Sequence, residues 1–141
     1  MLKHMLTNKI LTGLRDAEFT HLMPFLQPVA LSAGERLSEA GETMRFIYFP
    51  ESSVLSCRAE MQAGKSAEVG MIGFEGMAGI TALLGSVPAV HSISVSVGGS
   101  ALKVSTDDFN REALRGDGVQ QSLLAYASEY ITQISQRSAC A

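Results

Sequence analysis

Between residues 27 and 105 the sequence is a series of short apolar runs broken at close intervals by turn residues. The runs are Val29–Leu31, Arg36–Ser38, Phe46–Phe49, Val54–Met61, Ser66–Ile72, His91–Val97 and Ala101–Ser105. Between them stand Ala33-Gly34, Gly41-Glu42, Pro50-Glu51-Ser52, Ala63-Gly64-Lys65 and Gly98-Gly99-Ser100. Such spacing predicts a mainly β domain, a β-roll or jelly roll, rather than alternating βαβ units. The clearest alternation, Ser92-Ile93-Ser94-Val95-Ser96-Val97, puts three serines on one strand face and three branched aliphatics on the other. One of those faces is expected to meet water or a ligand.

Helical patterns flank the roll. In residues 8–26, a short helix is expected from Asn8 to Leu11, ended by Gly13, and a second over Ala17–Met23 with Asp16 as its cap and Pro24 as its limit. In residues 106–139, Ser105 or Thr106 can cap a helix over Asp107–Leu114, where two aspartates suit the positive end of the helix dipole. Gly116 and Gly118 interrupt, and from Val119 to about Ala139 there is neither Gly nor Pro. There Leu123, Ala127, Tyr130 and Ile134 recur at steps of four and three, with Leu124 and Ile131 beside them. A face that wide predicts a long helix that partly covers its own sheet and partly pairs with a second copy. Leu123, Ala127, Tyr130, Ile131 and Ile134 are the expected interface of a homodimer.

A length of 141 residues, 46 % apolar and 18 % charged, fits one globular domain over residues 1–141. No apolar run approaches the roughly 20 residues that cross a bilayer, and Met1-Leu2-Lys3-His4-Met5-Leu6 lacks the apolar core of a secretory signal. A cytoplasmic protein without membrane contact is expected. Cys57 and Cys140 are too few for a disulfide framework. With a net charge of -3 and eleven dispersed basic residues, these residues do not make a large duplex-binding surface.

From Val69 to Gly85 five glycines separate a strand-like run from a short helix-like run, Ile80–Leu84. A turn of this kind can aim several backbone N–H groups at one anion, or can simply reverse the chain inside an all-β domain. Metal chemistry has little to work with: His4, His21 and His91 form no His-x-His or His-x-x-x-His pair, and two cysteines cannot hold an iron–sulfur cluster. No Gly-x-Ser-x-Gly elbow is present. Neither an enzyme nor a bound cofactor is expected.

The order of these parts resembles the sensor domain of the Crp/Fnr-type bacterial transcription regulators, which share the cyclic-nucleotide-binding fold. The resemblance runs from Leu11 to Cys140 and rests on Ile47-Tyr48-Phe49-Pro50-Glu51-Ser52, Glu68-Val69-Gly70-Met71-Ile72-Gly73-Phe74-Glu75-Gly76-Met77 and Ser138-Ala139-Cys140. It implies an effector-sensing and dimerisation domain, with DNA read by a domain that this chain lacks. With Gly76 and Gly79 set on the family's phosphate-cassette glycines, Met77 stands where nucleotide binders carry Glu, and Ser92 where they carry Arg. Cyclic AMP and cyclic GMP are therefore expected to bind weakly or not at all. A small polar or weakly anionic effector is expected around Glu75, Gly76, Met77, Ala78, Gly79, His91, Ser92 and Ser94, unless the roll interior is simply filled. A stand-alone protein-interaction module and, last, a cupin-like jelly-roll enzyme are the alternatives.

Overall fold

A computed structural model describes residues 3–60, 66–79 and 91–113. The expected helices Ile80–Leu84 and Val119–Ala139, and with them every expected interface residue, lie outside the described residues. The chain enters through a 3-10 turn at Lys3–Met5, then α1 (Lys9–Thr12), α2 (Asp16–Leu22) and a second 3-10 turn at Met23–Phe25. Seven strands follow: β1 (Gln27–Leu31), β2 (Arg36–Ser38), β3 (Phe46–Pro50), β4 (Val54–Glu60), β5 (Ser66–Ile72), β6 (Ser92–Val97) and β7 (Gly99–Ser105). Helix α3 (Thr106–Ala113) closes the described chain.

Every strand pairing is antiparallel, in two sheets ordered β1-β7-β3 and β2-β6-β4-β5. Alternation along β3 shows how three layers stack. Ile47 and Phe49 are wholly buried and pack with Leu11, Leu14, Phe19, Leu22, Leu102 and Phe109, so the outer face of the three-stranded sheet is covered by helices. Tyr48, between them, joins the other cluster, in which Leu31 and Ala101 meet Leu55, Cys57, Ile72, Ile93 and Val95 of the facing sheet. The two sheets thus enclose an apolar interior. The expected mainly β roll is observed, and no helix of the described residues is long and apolar enough to cross a membrane.

One helix cap differs from expectation and another is settled between two expected residues, each for a chemical reason. Asp16 is the first residue of α2 rather than its cap; the Glu18 carboxylate accepts the Arg15 N–H at 2.9 Å, and Asp16 instead pairs with Lys3 at 3.1 Å. Ser105, not Thr106, caps α3, its Oγ accepting the Asp108 N–H at 3.1 Å. That leaves the Thr106 hydroxyl to donate to Met44 O at 2.8 Å, while the Thr106 N–H donates to Arg45 O at 2.9 Å. Pro28 lies within β1, an edge strand, where a missing N–H is tolerated.

Asn8 caps α1 and does more. Its Oδ1 accepts the N–H groups of Ile10 at 3.0 Å and Leu11 at 3.2 Å, while its Nδ2 donates to Pro50 O at 2.9 Å and Gly76 O at 2.8 Å. The residue is 0 % exposed, so each of these groups would otherwise lack a partner away from water. Glu51 completes the joint by accepting the N–H groups of Thr7 at 2.8 Å and Asn8 at 2.5 Å. Asn8→Ala should therefore cost about 2–4 kcal/mol in urea unfolding, and Asn8→Ser, which can restore the cap alone, should recover only part of it. Unfolding curves for Asn8→Ala that overlay the parent's would deny the joint its role.

Candidate functional site

The glycine-rich turn is held by the elements around it. Ala78 forms a two-way bridge with Tyr48 of β3: its N–H donates to Tyr48 O at 2.8 Å and its carbonyl accepts the Tyr48 N–H at 3.0 Å. The Gly76 N–H donates to Gly73 O at 3.1 Å, and the Gly73 N–H to the Glu75 carboxylate at 3.1 Å. From the other side, Lys9 N–H donates to Phe74 O at 2.7 Å and Asn8 holds Gly76 O. The amides of Gly76 and Ala78, which an anion cradle would need, are thus engaged by backbone carbonyls, and that of Gly73 by the exposed Glu75 carboxylate. Gly79 is required sterically: its φ is +106°, and a Cβ there would stand 3.0 Å from Ile47 Cγ1 and 3.3 Å from Phe46 O.

The side chains expected to line an effector site do not converge. Met77 is wholly buried in the helix-side core with Leu11, Phe49 and Phe109, so the position that the resemblance gives to a carboxylate points away from the roll interior. Ala78, not Met77, joins the cluster between the sheets. Glu75 is exposed and folds back on its own turn. Because Ile93 and Val95 fill the interior, Ser92 and Ser94 lie on the opposite face of their sheet, in register with Arg58 and Ser56. Ser92 is nevertheless buried and its hydroxyl donates to Arg58 O at 3.4 Å, whereas Ser94 is half-buried. His91, just before β6, is half-buried, and that burial lowers its pKa from the usual imidazole value.

A cavity of about 190 Å³ lies between β2, the 39–45 segment and β3, lined by Leu37, Ser38, Glu42, Thr43, Met44, Arg45, Phe46 and Tyr48. Sequence reasoning missed it, since its lining is assembled from residues that carry no motif. Ser38 and Met44 are buried at its floor, while Glu42, Thr43 and Arg45 are exposed at its rim. Lys103, paired across the sheet with Tyr48, places its ammonium 4.4 Å from the centre of the Phe46 ring. Burial, and secondarily the Glu35 carboxylate, push the Tyr48 phenol above its usual pKa. The Met44 and Arg45 carbonyls on the wall are the ones held by Thr106, so this cavity is hydrogen-bonded directly to the start of α3. Among the described residues, no group of three or more His, Cys, Asp or Glu side chains is placed to hold a metal ion.

No protein-family model matches the sequence, and no curated protein matches it. Solved structures do share its fold. The catabolite activator protein of Thermus thermophilus superposes with a TM-score of 0.76 at 15 % identity, covering 93 % of this chain and 62 % of that one. The regulatory subunit of a cAMP-independent protein kinase A from Trypanosoma brucei gives 0.74 at 17 %, covering 94 % and 47 %. The N-terminal domain of a transcriptional regulator from Streptomyces coelicolor A3(2) gives 0.67 at 16 %, covering 93 % and 92 %. The chain therefore has the fold of a cyclic-nucleotide-binding domain, and it spans less than two thirds of the activator and of the kinase subunit.

The raised Tyr48 pKa predicts an alkaline signature. A group whose folded-state pKa lies above its unfolded one contributes stability that is complete below the unfolded value, about pH 10 for tyrosine, and lost as pH rises through the folded value. Unfolding free energy should fall more steeply above about pH 10 in the parent than in Tyr48→Phe, which keeps the ring and removes the titration. Parallel profiles in urea titrations across that range would count against a half-buried phenol with a raised pKa.

Proposed function

We propose that this chain is the effector-sensing and dimerisation domain of a DNA-binding transcription regulator of the Crp/Fnr type, with a glycine turn that no longer serves a cyclic phosphate. The observation that carries the second half of this reading is the fate of the turn's amides. Gly73, Gly76 and Ala78 donate to Glu75, Gly73 and Tyr48, so a phosphate arriving there meets N–H groups already engaged. Met77 offers a ribose no carboxylate, since a buried thioether occupies the position. A phosphate deprived of charge-assisted partners would lose contacts worth more than neutral hydrogen bonds.

The first half draws on the shared fold and on the way the roll is joined to α3. The Streptomyces domain, which this chain nearly matches in extent, is the N-terminal part of a transcriptional regulator. In this chain the cavity wall at Met44 and Arg45 is tied to Thr106, and α3 is anchored by Phe109 against Phe49, with ring centres 5.9 Å apart. A ligand that favours one placement of the 39–45 segment would thereby favour one placement of α3, by as much as its affinity differs between the two arrangements. Beyond α3 follows the four-and-three pattern of Leu123, Ala127, Tyr130 and Ile134, through which two copies would pair and pass that shift to a DNA-reading domain outside this chain.

Two measurements test this. Calorimetric titration with cyclic AMP or cyclic GMP should give no heat of binding at micromolar concentrations; saturable binding of either nucleotide overturns the reading of the turn. Light scattering should report a dimer that Ile134→Asp converts to a monomer, because a charge on an apolar seam has no partner there. A chain that is monomeric from the start, or an Asp variant that still dimerises, removes the proposed interface.

A further inference from the structure

The cavity beneath the 39–45 segment carries one negative and one positive side chain, and they do not answer each other. Glu42 and Arg45 both line it, yet neither takes part in an ion pair among the described residues. Their neighbours behave differently. Arg36 grips both oxygens of Glu39 at 2.9 and 2.8 Å, and Arg111 holds Asp108 at 2.5 Å, in each case across a separation of three residues. Glu42 and Arg45 have the same separation in sequence and both line the cavity, but no ion pair joins them. Leu37, Met44 and Phe46 add apolar side chains to the lining, and Ser38 and Tyr48 add two hydroxyl-bearing ones.

Size narrows what fits. A cavity of roughly 150 Å³ accommodates a benzene molecule, whereas sites for drug-sized ligands begin near 300 Å³. At about 190 Å³ this one has room for a single apolar side chain with its polar end at the rim, and not for a base, a sugar and a phosphate together. An anion alone would leave Glu42 facing it, and a cation alone would meet Arg45.

We propose that this cavity binds a small zwitterion, an α-amino acid with an apolar side chain, whose carboxylate meets Arg45, whose ammonium meets Glu42 and whose side chain lies against Leu37, Met44 and Phe46. A planar guanidinium suits a carboxylate by paired hydrogen bonds, and the carboxylate of Glu42 accepts from an ammonium. The ligand would bridge two charges that the protein leaves apart, and would brace the same wall whose carbonyls hold Thr106 at the head of α3. It names an effector class for the proposed sensor and rests on that reading for its biological meaning.

L-Leucine is the probe, titrated into the 141-residue chain and followed by amide chemical shifts. Saturable shifts are expected at the 37–48 segment and at Thr106. 4-Methylpentanoate, which lacks the ammonium, and isoamylamine, which lacks the carboxylate, should each bind at least about tenfold more weakly, the scale of one lost charge-assisted hydrogen bond. Both Glu42→Gln and Arg45→Gln change exposed side chains and should fold as the parent does, with leucine affinity reduced by a similar factor. Absence of saturable shifts with millimolar leucine, equal binding of either truncated analogue, or shifts unchanged in both variants would overturn the assignment. Because this titration uses no DNA and no partner chain, a failed leucine titration beside an intact dimer would remove the ligand class alone. Leucine binding by a chain that fails the dimer test would uphold the ligand site and strike the regulator reading.

Discussion

The carboxamide of Asn8 stands where three segments far apart in sequence meet, and the geometry of the glycine turn depends on it. One oxygen starts α1, and one nitrogen ties that helix to the end of β3 and to Gly76. A buried amide with both ends engaged is worth keeping only where all its partners are in place, since losing any one leaves a polar group without water. Glu51 extends the same logic by gathering the two N–H groups that precede α1. The N-terminal helix is therefore part of the turn's support, and the turn is part of the helix's.

On the proposed reading, that mutual support is how the fold of a cyclic-nucleotide-binding domain is kept while its anion site is given over to structure. Backbone amides bind phosphate when they converge unpaired on a common point. Here the Tyr48–Ala78 bridge joins the turn to the three-stranded sheet, and the Gly73–Gly76 contact closes it locally. Side-chain orientation follows from the same bridge: with Ala78 facing the interior, Met77 must face the helices, where it fills the core beside Phe49 and Phe109. A positive φ at Gly79 and its close approach to Ile47 together disfavour any side chain there. The turn is a joint between layers, and the cavity proposed to take a ligand is lined by other residues, from Leu37 to Tyr48.

Much of the architecture was legible in the sequence because strands and turns leave local marks. Glycine-bearing breaks and period-two alternation located all seven strands of the described residues to within a few positions, and Ser105 was a readable cap for α3. Asn8 was readable as a residue at a helix start, but its bonds to Pro50 and Gly76 span 42 and 68 residues and leave no local trace. The serines of β6 show the limit of alternation: it separates two faces without telling which one turns inward, and Ile93 and Val95 decide that by filling the interior. The phase of the turn could not be read either, since one bridge to Tyr48 sets whether residue 77 or 78 faces the interior. The cavity escaped notice for a related reason. Glu42 and Arg45 are only three residues apart, but nothing local marks them as sharing a cavity with Leu37, Met44 and Tyr48, which β2 and β3 form with the segment that connects them.

The state of the turn's amides distinguishes a joint from a phosphate cradle more directly than any binding constant. Hydrogen exchange at Gly76 and Ala78, followed by NMR, reads whether those N–H groups are engaged in the protein without ligand. Strong protection at both, of the order seen for β3, and no change on adding cyclic AMP are the predicted results. Rapid exchange at both amides that slows when the nucleotide is added would contradict the account.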